Sequence, residues 1–141
     1  MFRSPSIFRS VRYLGVTFAL SAAAGASFSQ VVVVVNTKNP AATMTQEQVS
    51  NLYLGKIPAM IADLPDGSPP RELFYSKATG RTSAQMKAVW ARLTFTGKAS
   101  PPKELASAAD VKKFVAANPD AVGYIEKSAV DSTVKVVLEL N

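Results

Sequence analysis

Cysteine and histidine are both absent from the chain. Without cysteine no disulfide holds the fold, which must rest on its core, and a lipid anchor carried on cysteine is excluded. Without histidine as well, the usual general base, the thiol nucleophile and the common zinc ligands are missing. The chain therefore reads as non-enzymatic, with no metal and no cofactor. Carboxylates are outnumbered, ten against sixteen lysines and arginines, which gives a formal charge of +6. The apolar run from Tyr13 to Ala24 is shorter than the about 20 residues that a bilayer-spanning helix needs.

That run has the layout of a secretory signal peptide. Arg3, Arg9 and Arg12 precede it, and the small residues Ala24-Gly25-Ala26 and Ser27-Phe28-Ser29 follow it. The expected cut lies after Ala26 or Ser29, with export into the periplasm. A leader over residues 1–29 leaves 112 residues, enough for one compact domain over residues 30–141. The leader carries three basic residues and no carboxylate, so the charge of the remainder falls to +3. Nucleic-acid binding needs a concentrated basic face. Lys112-Lys113 is the only basic doublet after the leader, which argues against a nucleic-acid partner.

Val31 to Val35 is an unbroken β-branched run of the kind found in strands covered on both faces. Asn36 to Pro40 breaks it. Thr45-Gln46-Glu47-Gln48 has the capping-box pattern, and Val49, Leu52 and Tyr53 form an apolar stripe. This predicts a helix over 45–54, ended by Gly55. A strand is expected at Ala59 to Ala62, then a turn through Asp63-Leu64-Pro65-Asp66-Gly67. Ser68 as N-cap with Pro69 at the first helical position opens a helix to about Ala78. A second capping box, Thr82 to Gln85, opens a helix with Met86, Val89, Trp90 and Leu93 on one face. Thr94 to Pro102 reads as a loop. A helix capped within Ser107 to Asp110 buries Val111, Phe114 and Val115 and stops at Asn118-Pro119, and strands follow at Ala121 to Ile125 and Val134 to Leu138. The alternation of strand and helix predicts α/β layering on a largely parallel sheet.

Few residues combine into chemistry. Thr96-Gly97-Lys98 lacks the earlier glycine and the following Ser/Thr of a phosphate-binding loop, since Arg92 and Ala99 stand there. Ser100 and Lys103 have the Ser-x-x-Lys spacing, but across a double proline rather than one helical turn. Asp63 and Asp66 read as turn residues that bond local backbone. The best candidate is Gly67, Ser68 and Arg71, where a helix N-terminus offers a positive dipole end to an anion. The plainer reading is that Ser68 only caps the helix and Arg71 is solvated.

Taken together, Val31 to Asn36 with Asn39-Pro40, Gln48 through Leu54-Gly55-Lys56, Asp63 to Ser68, Arg71 to Tyr75, Gln85 to Trp90, Phe95-Thr96-Gly97-Lys98, Pro101-Pro102 and Ala121 to Tyr124 resemble short members of the phosphate ABC-transporter substrate-binding protein family. The resemblance covers nearly all of residues 30–141. It implies a periplasmic location and an α/β fold like a single lobe of a type 2 periplasmic binding protein, with a mixed, mostly parallel sheet flanked by helices. Weak binding of an oxyanion such as phosphate is expected at the helix start of Gly67, Ser68 and Arg71, with a membrane transporter or another envelope protein as the expected partner. Full-length members close two lobes on phosphate, and one domain supplies one lobe, so a homodimer rebuilding the cleft is a further expectation. In the family's second-lobe motif an arginine is followed shortly by Gly-Ser-Gly-Thr. Here Leu64 falls near the arginine position and Pro69-Pro70 replaces the Gly-Thr. The alternative is a ligand-free protein-interaction module of the envelope, with Tyr75, Trp90 and Phe95 either as anchors or as core.

Overall fold

The computed structural model describes residues 30–140, so the expected leader, its cleavage site and Asn141 lie outside the described residues. Five strands form one sheet: β1 (Val31–Asn36), β2 (Met60–Asp63), β3 (Lys103–Glu104), β4 (Ala121–Glu126) and β5 (Val134–Leu140). Their order across the sheet is β3-β2-β4-β1-β5. Four helices join them: α1 (Gln46–Tyr53), α2 (Pro69–Thr79), α3 (Ser83–Phe95) and α4 (Ala108–Ala117).

All six residues of β1 are buried, as its valine run predicts. Five buried valines at about 1.5–3 kcal/mol each amount to as much as a small domain's entire net stability of about 5–15 kcal/mol. β1 is antiparallel to both neighbours, β4 and β5, whereas β2 is parallel to β3 and β4. Four of the five strands thus share one direction and β1 reverses it. The sheet is mixed and mostly parallel in strand direction, with its reversed member next to the β5 edge. A backbone bond from Met44 to the Val137 carbonyl, 2.9 Å long, joins the segment after β1 to β5.

Two consecutive residues of β4 show how the layers form. Gly123 faces α4, where an added Cβ would stand 2.7 Å from Val111 Cγ1 and 3.3 Å from Val115 Cγ2. Tyr124 faces the other way and stacks on Phe74 of α2, ring centroids 3.9 Å apart. The two-residue period of a strand thereby sets α4 and α2 on opposite faces. Asn36, buried at the end of β1, donates through Nδ2 to the Val115 and Ala116 carbonyls at 2.9 and 3.0 Å, satisfying the C-terminal carbonyls of α4 that the helix leaves unpaired.

Both capping boxes are present, at Thr45 with Gln48 and at Thr82 with Gln85. Two expectations need correction. The stretch from Thr94 to Pro102 is not wholly loop, because α3 runs to Phe95. The next residues, Lys103–Glu104, form a parallel edge strand on β2 that is too short to carry a periodic signal. Asp63 is the last residue of β2 and not the first of the turn.

Gly123→Ala is expected to lower unfolding free energy by about 1–3 kcal/mol through overpacking against α4, despite the better backbone propensity of alanine. Urea denaturation checks this as a lower midpoint with an unchanged slope.

Candidate functional site

The carboxyl ends of β2 and β3 and the start of α2 meet at an open cleft of about 530 Å³, lined among others by Asp63, Asp66, Arg71, Lys87, Trp90, Phe95, Pro101, Pro102 and Glu104. In open α/β sheets ligands bind outside the carboxyl ends of strands. The parallel part of the sheet delivers this cleft.

Its floor is built around Asp63, which is 4% exposed. The carboxylate accepts short hydrogen bonds from the hydroxyls of Tyr75 on α2 and Tyr124 on β4, and one from its neighbour's amide, Leu64 N, at 2.9 Å. Arg71 lies at 3.8 Å from Asp63 and at 3.7 Å from Glu104. Its Nε donates to Ser83 Oγ at 2.9 Å and its Nη1 to the Leu64 carbonyl at 2.8 Å. Burial pulls the guanidinium pKa down, but Asp63 leads the acidic neighbours that outweigh burial, and the net shift is upward. Arg71 is 7% exposed, so it is not the solvated surface charge of the plainer sequence reading.

The other candidate residues sit beside it. Gly67 has a φ of +81° with open space around it, which suits the left-handed turn into α2. Ser68 occupies the N-cap position, but its side chain makes no capping bond. Its Oγ is buried and without a hydrogen-bond partner. The Arg71 and Glu72 amides bond back to the Ser68 carbonyl at 3.1 and 3.2 Å, while Pro69 and Pro70 have no N–H to offer. The α2 N-terminus is therefore poor in free backbone donors. Asp66 is exposed, and a hydrogen bond from Lys87 at 3.3 Å, then the Lys87 charge and Ser83, hold its carboxyl below the usual carboxylate range.

Gly67, Ser68 and Arg71 stand together at the start of α2, but of the three only Arg71 lines the cleft, and there Asp63 and Glu104 pair with it. The sequence reading missed Asp63 as a hub, along with Tyr75, Tyr124 and Glu104 as its surroundings. Those residues come from four separate elements, and only the Asp63 position next to a predicted strand end offered a local hint. Of the three aromatics proposed as anchors, Tyr75 and Trp90 are buried, while Phe95 is 93% exposed at the lip of the cleft. Trp90 Nε1 donates to the Tyr53 carbonyl at 2.9 Å.

No protein-family model and no curated protein sequence matches the chain. Solved structures share its fold. An ABC-type phosphate transport receptor from Vibrio cholerae superposes with a TM-score of 0.61 at 23% identity, over 77% of this chain and 45% of that one. A Clostridium perfringens substrate-binding protein ascribed to a phosphate ABC transporter, solved with phosphate bound, gives 0.61 at 22% identity, over 77% and 44%. PstS from Borrelia burgdorferi gives 0.57 at 10% identity, over 77% and 46%. The chain is similar in fold to these three proteins and spans less than half their length.

Two outcomes test the hub. Asp63→Ala leaves Arg71 and two tyrosine hydroxyls without their buried acceptor, and should cost about 3–5 kcal/mol in urea unfolding. Tyr53, Tyr75 and Tyr124 are pushed above the ordinary tyrosine value of 10.0 by burial first and by Asp63 second. A raised folded pKa contributes stability that is complete below about pH 10 and is lost as pH climbs beyond it. In a spectrophotometric titration Tyr53, Tyr75 and Tyr124, three of the chain's four tyrosines, should ionise together, with loss of circular dichroism.

Proposed function

We propose that the chain is a non-enzymatic, single-lobe solute-binding protein of the periplasm that holds an oxyanion such as phosphate weakly at Gly67, Ser68 and Arg71. The observation that carries this is the Ser68 hydroxyl, buried without a partner at the start of α2 in a lobe with the fold of phosphate-binding receptors. A buried unpaired hydroxyl costs about 1–3 kcal/mol, and an acceptor oxygen placed there would relieve that cost.

The affinity is low for an electrostatic reason. An anion beside Arg71 also meets Asp63 and Glu104. At an effective dielectric of 20, one carboxylate at 4 Å repels a unit anion by about as much as one guanidinium attracts it, roughly 4 kcal/mol. Binding then rests on the Ser68 hydroxyl and the Gly67 amide. An open single lobe also leaves one side of the ligand in water, and a transporter, another envelope protein or a second copy of the chain would supply the missing wall.

A second reading is favoured by Phe95, whose ring stands free at the cleft lip. In that reading the lobe is an interaction module of the cell envelope and the cleft contacts a protein rather than a solute.

Thermal unfolding in phosphate, sulfate and chloride at matched ionic strength separates the readings. A specific ligand at about 100 times its dissociation constant adds roughly 2.7 kcal/mol, a rise of several degrees for a domain of this size. Ser68→Ala removes the unpaired hydroxyl, so it should raise the ligand-free melting temperature and abolish the further rise with an oxyanion. Arg71→Ala is a poorer probe because its side chain is part of the buried network. No rise with any oxyanion would remove the solute-binding reading.

A further inference from the structure

Three helices of this fold end in the same way and at the same place. Each stops on a left-handed glycine followed by a cation: Gly55-Lys56 after α1, Gly80-Arg81 after α2 and Gly97-Lys98 after α3. At α1 and α3 the paired bonds of a Schellman turn are complete. Lys56 N reaches the Asn51 carbonyl at 3.0 Å with Gly55 N on Leu52, and Lys98 N reaches the Leu93 carbonyl at 3.0 Å with Gly97 N on Thr94. The cations therefore leave fixed backbone positions. Together with Arg92 they line a concavity of about 340 Å³ on the outer side of α3, floored by Leu54, Val89 and Leu93, with no carboxylate in the lining.

None of the four cations makes an ion pair or side-chain hydrogen bond among the described residues. The other clusters of charge in the fold, around Arg71 and at Lys112 with Asp131, are compensated. One competing account is that these cations merely offset helix dipoles. A helix C-terminus carries roughly half a negative charge. Three such ends against four full charges leave an excess of about two and a half positive charges, so the dipoles do not use up the patch. Phe95, one helical turn beyond Arg92 at the C-terminal end of α3, is 93% exposed. Phe95 lines the cleft and not this concavity, but three residues on from Arg92 it is that cation's neighbour on the helix surface. A nearly free ring next to unpaired cations fits a partner that is anionic at its surface and apolar beneath.

We propose that this face of α3 docks on an anionic lipid membrane surface, with Lys56, Arg81, Arg92 and Lys98 on headgroup phosphates and Phe95 in the acyl boundary. Interfacial segments bind by this pairing of buried apolar area with electrostatic attraction. The surface is separate from Ser68, and the inference stands whether or not the cleft holds an oxyanion.

The test is co-sedimentation with vesicles of phosphatidylcholine alone and of phosphatidylcholine mixed equally with phosphatidylglycerol. It uses the full chain and, in parallel, residues 30–141 once circular dichroism shows them folded, so that the apolar run before residue 30 does not mask the patch. The folded protein should partition onto the mixed vesicles and leave them as salt rises. Removing each cation should weaken partition roughly fivefold, so Arg81→Gln with Arg92→Gln should weaken it about thirtyfold. Phe95→Ser should weaken it about tenfold or more. Ser68→Ala should leave it unchanged, which separates this surface from the cleft. Equal partition of the wild type and the Arg81→Gln, Arg92→Gln pair overturns the proposal. So does a thermal shift with inorganic phosphate that this pair abolishes while vesicles fail to bind, because the patch is then a soluble-anion site. Retention on nucleic acid without vesicle binding also overturns it.

Discussion

The buried carboxylate of Asp63 is the constraint on which the arrangement of this lobe depends. It ends β2, receives hydroxyls from α2 and β4, and faces the guanidinium of Arg71. Its own carbonyl takes the Leu105 amide at 2.9 Å, which fixes the chain just beyond β3. Four elements are thereby referenced to one residue. A buried ion is tolerated only when it is paired and hydrogen-bonded, and here each oxygen has a hydroxyl donor. The rings that carry those hydroxyls form an aromatic cluster with Tyr53 and Phe74, so the polar network and the core on that face of the sheet are one body.

The same network decides what the cleft can hold. Arg71 would be the natural anion ligand from its place in the first turn of α2, but its donors go to Ser83 and Leu64 and its charge to Asp63 and Glu104. The side chain thus serves the fold first. Among the described residues, a cluster of unpaired cations lies elsewhere, at the helix ends beyond Gly55, Gly80 and Gly97. Compensation at the sheet end and surplus at the helix ends are two halves of one charge distribution. A net charge taken from composition cannot separate them.

What could be read from the sequence was what is local. The capping boxes at Thr45 and Thr82, the glycine stops and the buried valine run each express their signal within a few residues, and the helices and main strands appear where those signals stand. The reversed direction of β1 did not show, because a strand buried on both faces reads the same in either direction. β3 did not show because its two residues carry no period. Arg71 looked solvated because its partners at 63, 83 and 104 are scattered along the chain. Ser68 illustrates the converse: the residue type suits a cap and the position is the cap, yet the hydroxyl makes no cap bond.

The relation between core and cleft gives the lobe its character. β1 sits between β4 and β5 with α4 and α2 on the two faces, and the buried apolar residues form one core cluster. The cleft at the ends of β2 and β3 does not close. Its wall of Trp90, Pro101 and Pro102 faces a floor of charged residues across open space, with Phe95 at the lip. Solved structures of this fold are more than twice the length that this chain matches. The residues that hold the lobe together, Asp63, Arg71 and Trp90, also form the floor and wall of the cleft, so the fold constrains the cleft's interior and leaves only exposed residues such as Phe95 free of it. Selection on the exposed faces of α3 is then free to act on contacts with other surfaces, while Asp63 and its tyrosines keep the scaffold unchanged.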